Sequence, residues 1–246
     1  MVKLAVLIID ADNEPIYAVG REMWRLASKL FDIPVYFLRA DRRVLGDGIY
    51  IDGDTILAKW YDRFIDRVNH KTICGLHYCF QRGEFDYVLR TNLSSFFRLD
   101  LLLSYLSGAP RTEFYAGSMN VLPVSGVEDG VFEYVSGSGI ILSNDLLGRL
   151  VNARSLCEFH YIDDVWIGLA LRDLPRVGWD RCDLIDVSDL SLNHIQDISA
   201  KLNVADRDGV FHYRVKNAGH AGRLALDSLA FGMLYEHFYS PLINAS

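Results

Sequence analysis

Phe85-Asp-Tyr-Val-Leu-Arg-Thr-Asn-Leu-Ser-Ser-Phe-Phe97 is a β-prone apolar run that stops at a small polar cluster, Thr91 to Ser95. A strand that ends in such a cluster marks the place where open α/β sheets take their ligands, at the carboxyl ends of the strands. Upstream, residues 3–9 form a continuous β-prone run. A polar turn from Asp10 to Pro15 follows, then apolar residues at helical spacing through Tyr17, Val19, Met23, Trp24, Leu26, Ala27 and Leu30. Pro34 to Leu38 supplies a second strand, and short extended pieces follow at 49–51 and 55–57. From Tyr61 to Cys79 the pattern is helical, with Phe64, Ile65, Val68, Ile73, Leu76 and Cys79 on one face.

Downstream of the opening stretch, 99–106 predicts a short helix, 113–116 a strand and 117–138 a β-hairpin and loop layer. Ser143 or Asn144 can cap a helix running to about Ala153, and Asp163 or Asp164 another running to about Arg172. A strand at 209–215 precedes a closing helix at 223–239. Strands alternating with helices in the first half, and mixed elements later, predict an α/β fold. The expectation is a single domain with a mixed, mostly parallel central sheet flanked by helices.

The 246 residues are half apolar, which permits one large core. The net charge is −7 with both signs interspersed, so no extended cationic surface is available to a nucleic-acid backbone. Nucleic acid is therefore not an expected partner. Cys74, Cys79, Cys157 and Cys182 show no CxxC spacing, which points to buried free thiols in a reduced compartment. No stretch reaches the roughly 18 continuous apolar residues that a membrane-spanning helix needs.

Three clusters carry chemistry. Asp163-Asp164 stands just before an apolar helical run, where the positive end of the helix dipole favours ionised carboxylates. The pair suits a proton acceptor, although such a pair at a helix start is more often an ordinary cap. Gly137-Ser138-Gly139 precedes an apolar strand, where backbone without side chains lets a ligand approach. His212, Arg214 and Lys216 alternate on one strand face with Arg223 nearby; that face suits a phosphate-bearing ligand, although the spacing alone favours a solvated edge strand. No GxGxxG follows the first strand, no phosphate loop GxxxxGK[ST] occurs and no GxSxG elbow is present. Cys74/His77 and Cys157/His160 lack a full zinc ligand set and read as core pairs.

In order along the chain, five segments resemble the β-1,3-galactosyltransferase and fringe-like family. Gly20-Arg-Glu-Met-Trp24 is similar to its Ile-Arg-x-Thr-Trp helix, and Ile56 to Thr72, ending in Lys71-Thr72, to the region closing on its Lys-Thr pair. Tyr87 to Phe97 falls where the family has an apolar strand followed by Lys-Thr-Asp-Asp-Asp. Val135-Ser-Gly-Ser-Gly-Ile-Ile-Leu-Ser-Asn-Asp145 resembles its Gly-Gly-Gly-Tyr-Val-Leu-Ser segment, and Ile162-Asp-Asp-Val-Trp-Ile-Gly-Leu-Ala-Leu171 its Glu-Asp-Val-x-x-Gly helix. After Leu171 the likeness is loose, although His212 falls near the place of a metal-ligating histidine.

The resemblance implies a GT-A glycosyltransferase fold over residues 1–246, with 1–116 as a nucleotide-binding half and 117–246 as an acceptor and catalytic half. It implies an inverting enzyme that takes a UDP-sugar as donor and a glycan as acceptor. Asp164 would be the general base, supported by Asp163. Donor contacts would come from Asp10, Ala11, Asp12, Asn13, Arg21, Lys71, Arg90, Asn92 and Ser94, and acceptor contacts from Gly137, Ser138 and Gly139. The departure is Asn92-Leu93-Ser94, where the family carries Asp-x-Asp for Mn²⁺ or Mg²⁺; neutral amide and hydroxyl oxygens are poor partners for these ions. Three readings stand: metal-free transfer with Arg214, Lys216 or Arg223 neutralising the leaving group; weak metal binding through other oxygens; or a non-catalytic module that binds glycan or sugar nucleotide.

Overall fold

β1 (Leu4–Ile9) is apolar at every position and buried almost throughout, the pattern of a strand covered on both faces of a parallel sheet. It pairs in parallel with β2 (Val35–Asp41) on one side and with β5 (Tyr87–Asn92) on the other. Beyond β2 lie β4 (Thr55–Lys59), also parallel, and β3 (Tyr50–Asp52), antiparallel at the edge. Beyond β5 come β8 (Val131–Ser143), β7 (Tyr115–Pro123) and β9 (Arg176–Gly178), which completes an eight-stranded sheet in the order β3-β4-β2-β1-β5-β8-β7-β9. The chain builds outward from β1 toward β4 and then returns to β5 on the other side. The carboxyl ends of β1 and β5 therefore form a topological switch point, the usual ligand crevice of such sheets.

The structure is a computed structural model that describes residues 2–11, 15–46, 48–123, 131–153, 161–179, 182–186, 199–200, 202–203, 208–216 and 223–244. The chain forms two compact units and passes between them repeatedly. One holds Met1–Asp10, Ile33–Asn92 and Leu106–Trp179; the other holds Ala11–Asp32, Leu93–Tyr105 and Asp180–Ser246. Residue 116, the expected division between halves, lies inside β7.

In the first unit, α2 (Phe64–Arg82) lies on the sheet with Ile73, Leu76 and Cys79 in the core. Gly75 sets its approach, since a Cβ there would stand 2.7 Å from Leu38 Cδ2. Gly83 closes the helix in the left-handed conformation at φ 65°, which glycine adopts without a steric penalty. α2 also buries Asn69, His70, Lys71 and Thr72, an expensive polar stretch unless something pairs with it. α4 (Asn144–Asn152) and α5 (Asp163–Ala170) complete that layer.

The second unit contains α1 (Ile16–Phe31), β6 (Ser95–Phe97), α3 (Leu99–Ser107) as far as Tyr105, β10 (Cys182–Asp186), β11 (His212–Lys216) and α6 (Arg223–Phe238). α1 buries Ile16, Gly20, Trp24 and Ala27 and leaves Leu26 exposed, so its buried stripe is narrower than the apolar pattern predicts. The small sheet has the order β10-β11-β6. β11 is thus the central strand, not the solvated edge that its charges suggest, and His212 and Tyr213 are wholly buried on it. His212 stacks on Phe97 with centroids 4.2 Å apart and planes 10° apart, and its Nε2 lies 3.3 Å from Ser95 Oγ.

Cap assignments also differ from expectation. Ile162 is the residue before α5, and both aspartates lie in the first turn. Ser143 precedes α4 without capping it, because its Oγ accepts the Phe114 amide instead. Cys74 and Cys79 are buried free thiols, as expected; Cys157 and His160 lie outside the described residues. Among the described residues, no helix is long and apolar enough to cross a membrane.

Candidate active site

The buried polar stretch of α2 finds its partners at the switch point. Asp10 follows β1 directly; it is 1% exposed, and its carboxylate accepts from Arg39 Nη2 at 3.0 Å. Lys71 reaches from α2 to donate to the Asp10 main-chain oxygen at 2.7 Å. Burial pulls the Lys71 ammonium down to about 8, while the charges of Asp10 and Asp163 hold it up. Those two charges work against the loss of the proton that burial favours.

At the end of β5 the second half of the network begins. Arg90, 4% exposed, places Nη2 2.5 Å from Asp163 Oδ2 and donates through Nη1 to the Gly137 carbonyl. Thr72 donates its hydroxyl to the same Asp163 oxygen. Thr91 Oγ1 donates to the Ser138 carbonyl at 2.6 Å, and Asn92 Nδ2 to the Gly137 carbonyl at 3.3 Å. These bonds tie the polar cluster of β5 to the Gly137-Ser138-Gly139 segment of β8, as its pairing with β5 at Thr91 and Gly139 requires.

The two adjacent aspartates have different surroundings. Asp163 is fully buried, held by Arg90 and Thr72, and its Oδ1 has no hydrogen-bond partner among the described residues. Asp164 is partly exposed; its Oδ2 accepts the Gly137 amide at 2.9 Å and its Oδ1 the Val165 amide at 2.8 Å. Burial, and then the charge of Asp163, raise the Asp164 carboxyl above its ordinary value, against the pull of the two amides and Arg90. One carboxylate is thus locked in place, while its neighbour keeps a reachable face and gains affinity for a proton. Gly137 is required here, since a Cβ on it would stand 2.6 Å from Arg90 Nη1 and 3.0 Å from Asp164 Oδ2.

The first unit therefore assembles Asp10, Lys71, Arg90, Asn92, Gly137, Ser138, Asp163 and Asp164, with Gly139 next along β8. Ala11, Arg21, Ser94 and Arg214 belong to the second unit. Asp12 and Asn13 lie outside the described residues, as do the side chains of Lys216 and Arg223. Sequence reasoning missed Arg39 and gave Thr72 no role of its own. Arg39 was legible in principle as a cation near the end of a strand paired with one that Asp10 follows.

The residues in place of the Asp-x-Asp carboxylates do not fit a divalent cation. Asn92 turns its amide nitrogen, a donor, to the Gly137 carbonyl, and Ser94 brings a neutral hydroxyl where a carboxylate would stand. Among the described residues, no three of His, Cys, Asp and Glu converge as a metal cluster.

No protein-family profile and no curated protein sequence matches the chain. Among solved structures it is similar to a glycosyltransferase involved in the glycosylation of the major capsid of PBCV-1, at 10% identity and a TM-score of 0.55, over 94% of this chain and 99% of that one. It is also similar to the galactosyltransferase LgtC in complex with donor and acceptor sugar analogs, at 14% identity and a TM-score of 0.49, over 96% of each chain. The chain has the mixed α/β architecture of a GT-A glycosyltransferase. The finer resemblance to fringe-like β-1,3-galactosyltransferases is one of sequence blocks, and these comparisons do not show it.

Proposed function

We propose that the protein is an inverting glycosyltransferase that moves a hexose from a nucleoside-diphosphate sugar, UDP-linked, to a glycan hydroxyl in the cytoplasm during microbial or viral glycan assembly. The observation that carries the proposal is Asp164: a partly exposed carboxylate with raised proton affinity, fixed to Gly137 at the ligand edge of a glycosyltransferase-like sheet. Asp164 takes the proton of the acceptor hydroxyl. The acceptor oxygen bonds to the anomeric carbon from the face opposite the leaving group, the bond to the diphosphate breaks, and its electron pair leaves with the nucleoside diphosphate. Asp163 and Arg90 act as positioning residues, since their groups are committed to each other.

The nucleoside lies along Asp10, Ala11, Asp12 and Asn13, the diphosphate by Lys71, Asn92 and Ser94, and the acceptor by Gly137, Ser138 and Gly139. Arg21 keeps the donor role implied by the family helix it resembles. Arg214, Lys216 and Arg223 neutralise the leaving charge, and no step runs through a metal. Release of nucleoside diphosphate from UDP-hexose, followed with and without chelator, tests the reading. The rival is a non-catalytic binder, favoured by the loss of carboxylates at 92–94. It would bind UDP-hexose and release nothing.

A further inference from the structure

The carboxyl ends of β2 and β4 carry a cluster to which the proposed reaction has given no role. Trp60 follows β4 directly, and its ring has the Arg67 guanidinium 4.3 Å from the centroid and the Arg42 guanidinium at 5.0 Å. Arg42 is exposed just past the end of β2, while Arg67, in the first turns of α2, and Trp60 are partly exposed. Neither arginine pairs with a carboxylate among the described residues; Asp41 is held by Arg43 at 2.6 Å and Asp66 by Arg63 at 3.7 Å. Two like charges share one indole without an ion-pair partner among the described residues.

A second observation points the same way. Arg67 Nε and Trp60 Nε1 are buried donors with no acceptor among the described residues, a rarity in folded proteins. Arg67 Nη2 reaches the Asp62 carbonyl only at 3.5 Å. A guanidinium stacked on an indole uses its flat face and keeps its in-plane N–H groups for a ligand. One helical turn further along α2 stands Lys71, so cations run from Trp60 toward the end of β1.

We propose that Trp60, Arg42 and Arg67 form an anion site for a phosphate group, with Arg67 as the bidentate donor and the indole as its platform. Two unneutralised cations match a dianion, which phosphate groups approach at neutral pH and a single carboxylate does not. The phosphate comes either from the donor's diphosphate, in which case the inference rests on the transferase reading, or from a separate phosphorylated molecule.

Calorimetric titration of the full chain with sodium pyrophosphate, alone and with UDP, tests this. Pyrophosphate should bind, Arg67→Ala should weaken it by about tenfold or more and Arg42→Ala by less, at unchanged melting temperature. Arg67→Lys should restore only part, because an ammonium lacks the planar fork. Competition between UDP and pyrophosphate assigns the anion to the donor, whereas UDP binding beside saturating pyrophosphate assigns it to a separate phosphate. Pyrophosphate that does not bind, or binds wild type and Arg67→Ala equally, overturns the site. If UDP-hexose is then still turned over, the transferase reading survives; Arg67-dependent pyrophosphate binding without any transfer gives the converse.

Discussion

The end of β5 and the strand β11 look alike as sequence, since Arg90 and Asn92 alternate on one and His212, Arg214 and Lys216 on the other. Folding treats them differently. At β5 the polar groups are taken up by α2, α5 and β8 in one connected network through Thr72, Gly137 and Asp163. At β11 the first polar residue becomes a packing element, stacked on Phe97 at the centre of a small sheet. Alternation decides which side chains share a face, and the elements that cover that face decide whether they become a site or a core.

The largest expected effect falls on the β5 side. Asp164→Asn should lower turnover by ~10²–10⁴ while donor binding holds, because it removes the proton acceptor and keeps size and polarity. Wild-type turnover in the variant would retire Asp164 as the base. The pH profile sharpens the test. A base whose carboxyl is raised by burial and by Asp163 is active above that raised value, so kcat should fall as pH drops through a point above the ordinary aspartate value.

Next comes the network itself. Arg90→Ala strips the buried Asp163 of its ion-pair partner and should cost about 3–5 kcal/mol of stability, the usual range for a broken buried pair. Arg90→Met combined with Asp163→Leu should recover much of that loss, because no buried charge is then left alone. Urea unfolding of the two variants measures both. A single-variant loss below about 1 kcal/mol would mean that the pair is solvated and the network loose.

Much of this arrangement was legible. The strand at 85–92, the polar cluster at its end, the helix over α2 and the order of the blocks follow from periodicity and turn chemistry. What escaped depends on long-range pairing. Arg90 meets partners at 137 and 163, far off in sequence, and nothing local to β5 says that its guanidinium is committed there rather than to a ligand. The edge reading of β11 failed for the same reason, since its neighbours on either side, β10 and β6, come from distant parts of the chain.

A smaller effect is expected from the cations of the second unit. If Arg214, Lys216 or Arg223 meets charge developing on the leaving oxygen, its removal should cost on the order of 2–4 kcal/mol of transition-state stabilisation, with turnover falling more than donor affinity. Activity should persist in excess EDTA. Silent alanine variants at all three positions, together with activity that vanishes in EDTA and returns with Mn²⁺, would place the neutralising charge on a metal instead.

The smallest effect at neutral pH, and the cleanest contrast with Asp164, belongs to His212. Complete burial lowers the imidazole from 6.5 to about 3, with the charge of Arg214 adding to the shift. Because the folded value is depressed, the unfolded chain binds a proton between pH 6.5 and 3 that the folded chain refuses. The contribution of His212 is therefore fully present above 6.5 and is lost as pH falls toward 3. Asp164 runs the opposite way: its raised carboxyl favours the folded state at low pH and loses that advantage as pH rises through the raised value. His212→Phe keeps a flat ring against Phe97 and cannot charge, so its melting temperature should decline less than that of wild type between pH 6.5 and 4. Asp164→Asn should gain on wild type as pH rises from 4 to 7. Parallel melting curves for His212→Phe and wild type across the acid range would show that the imidazole takes up its proton inside the fold, and with it that β11 opens to water.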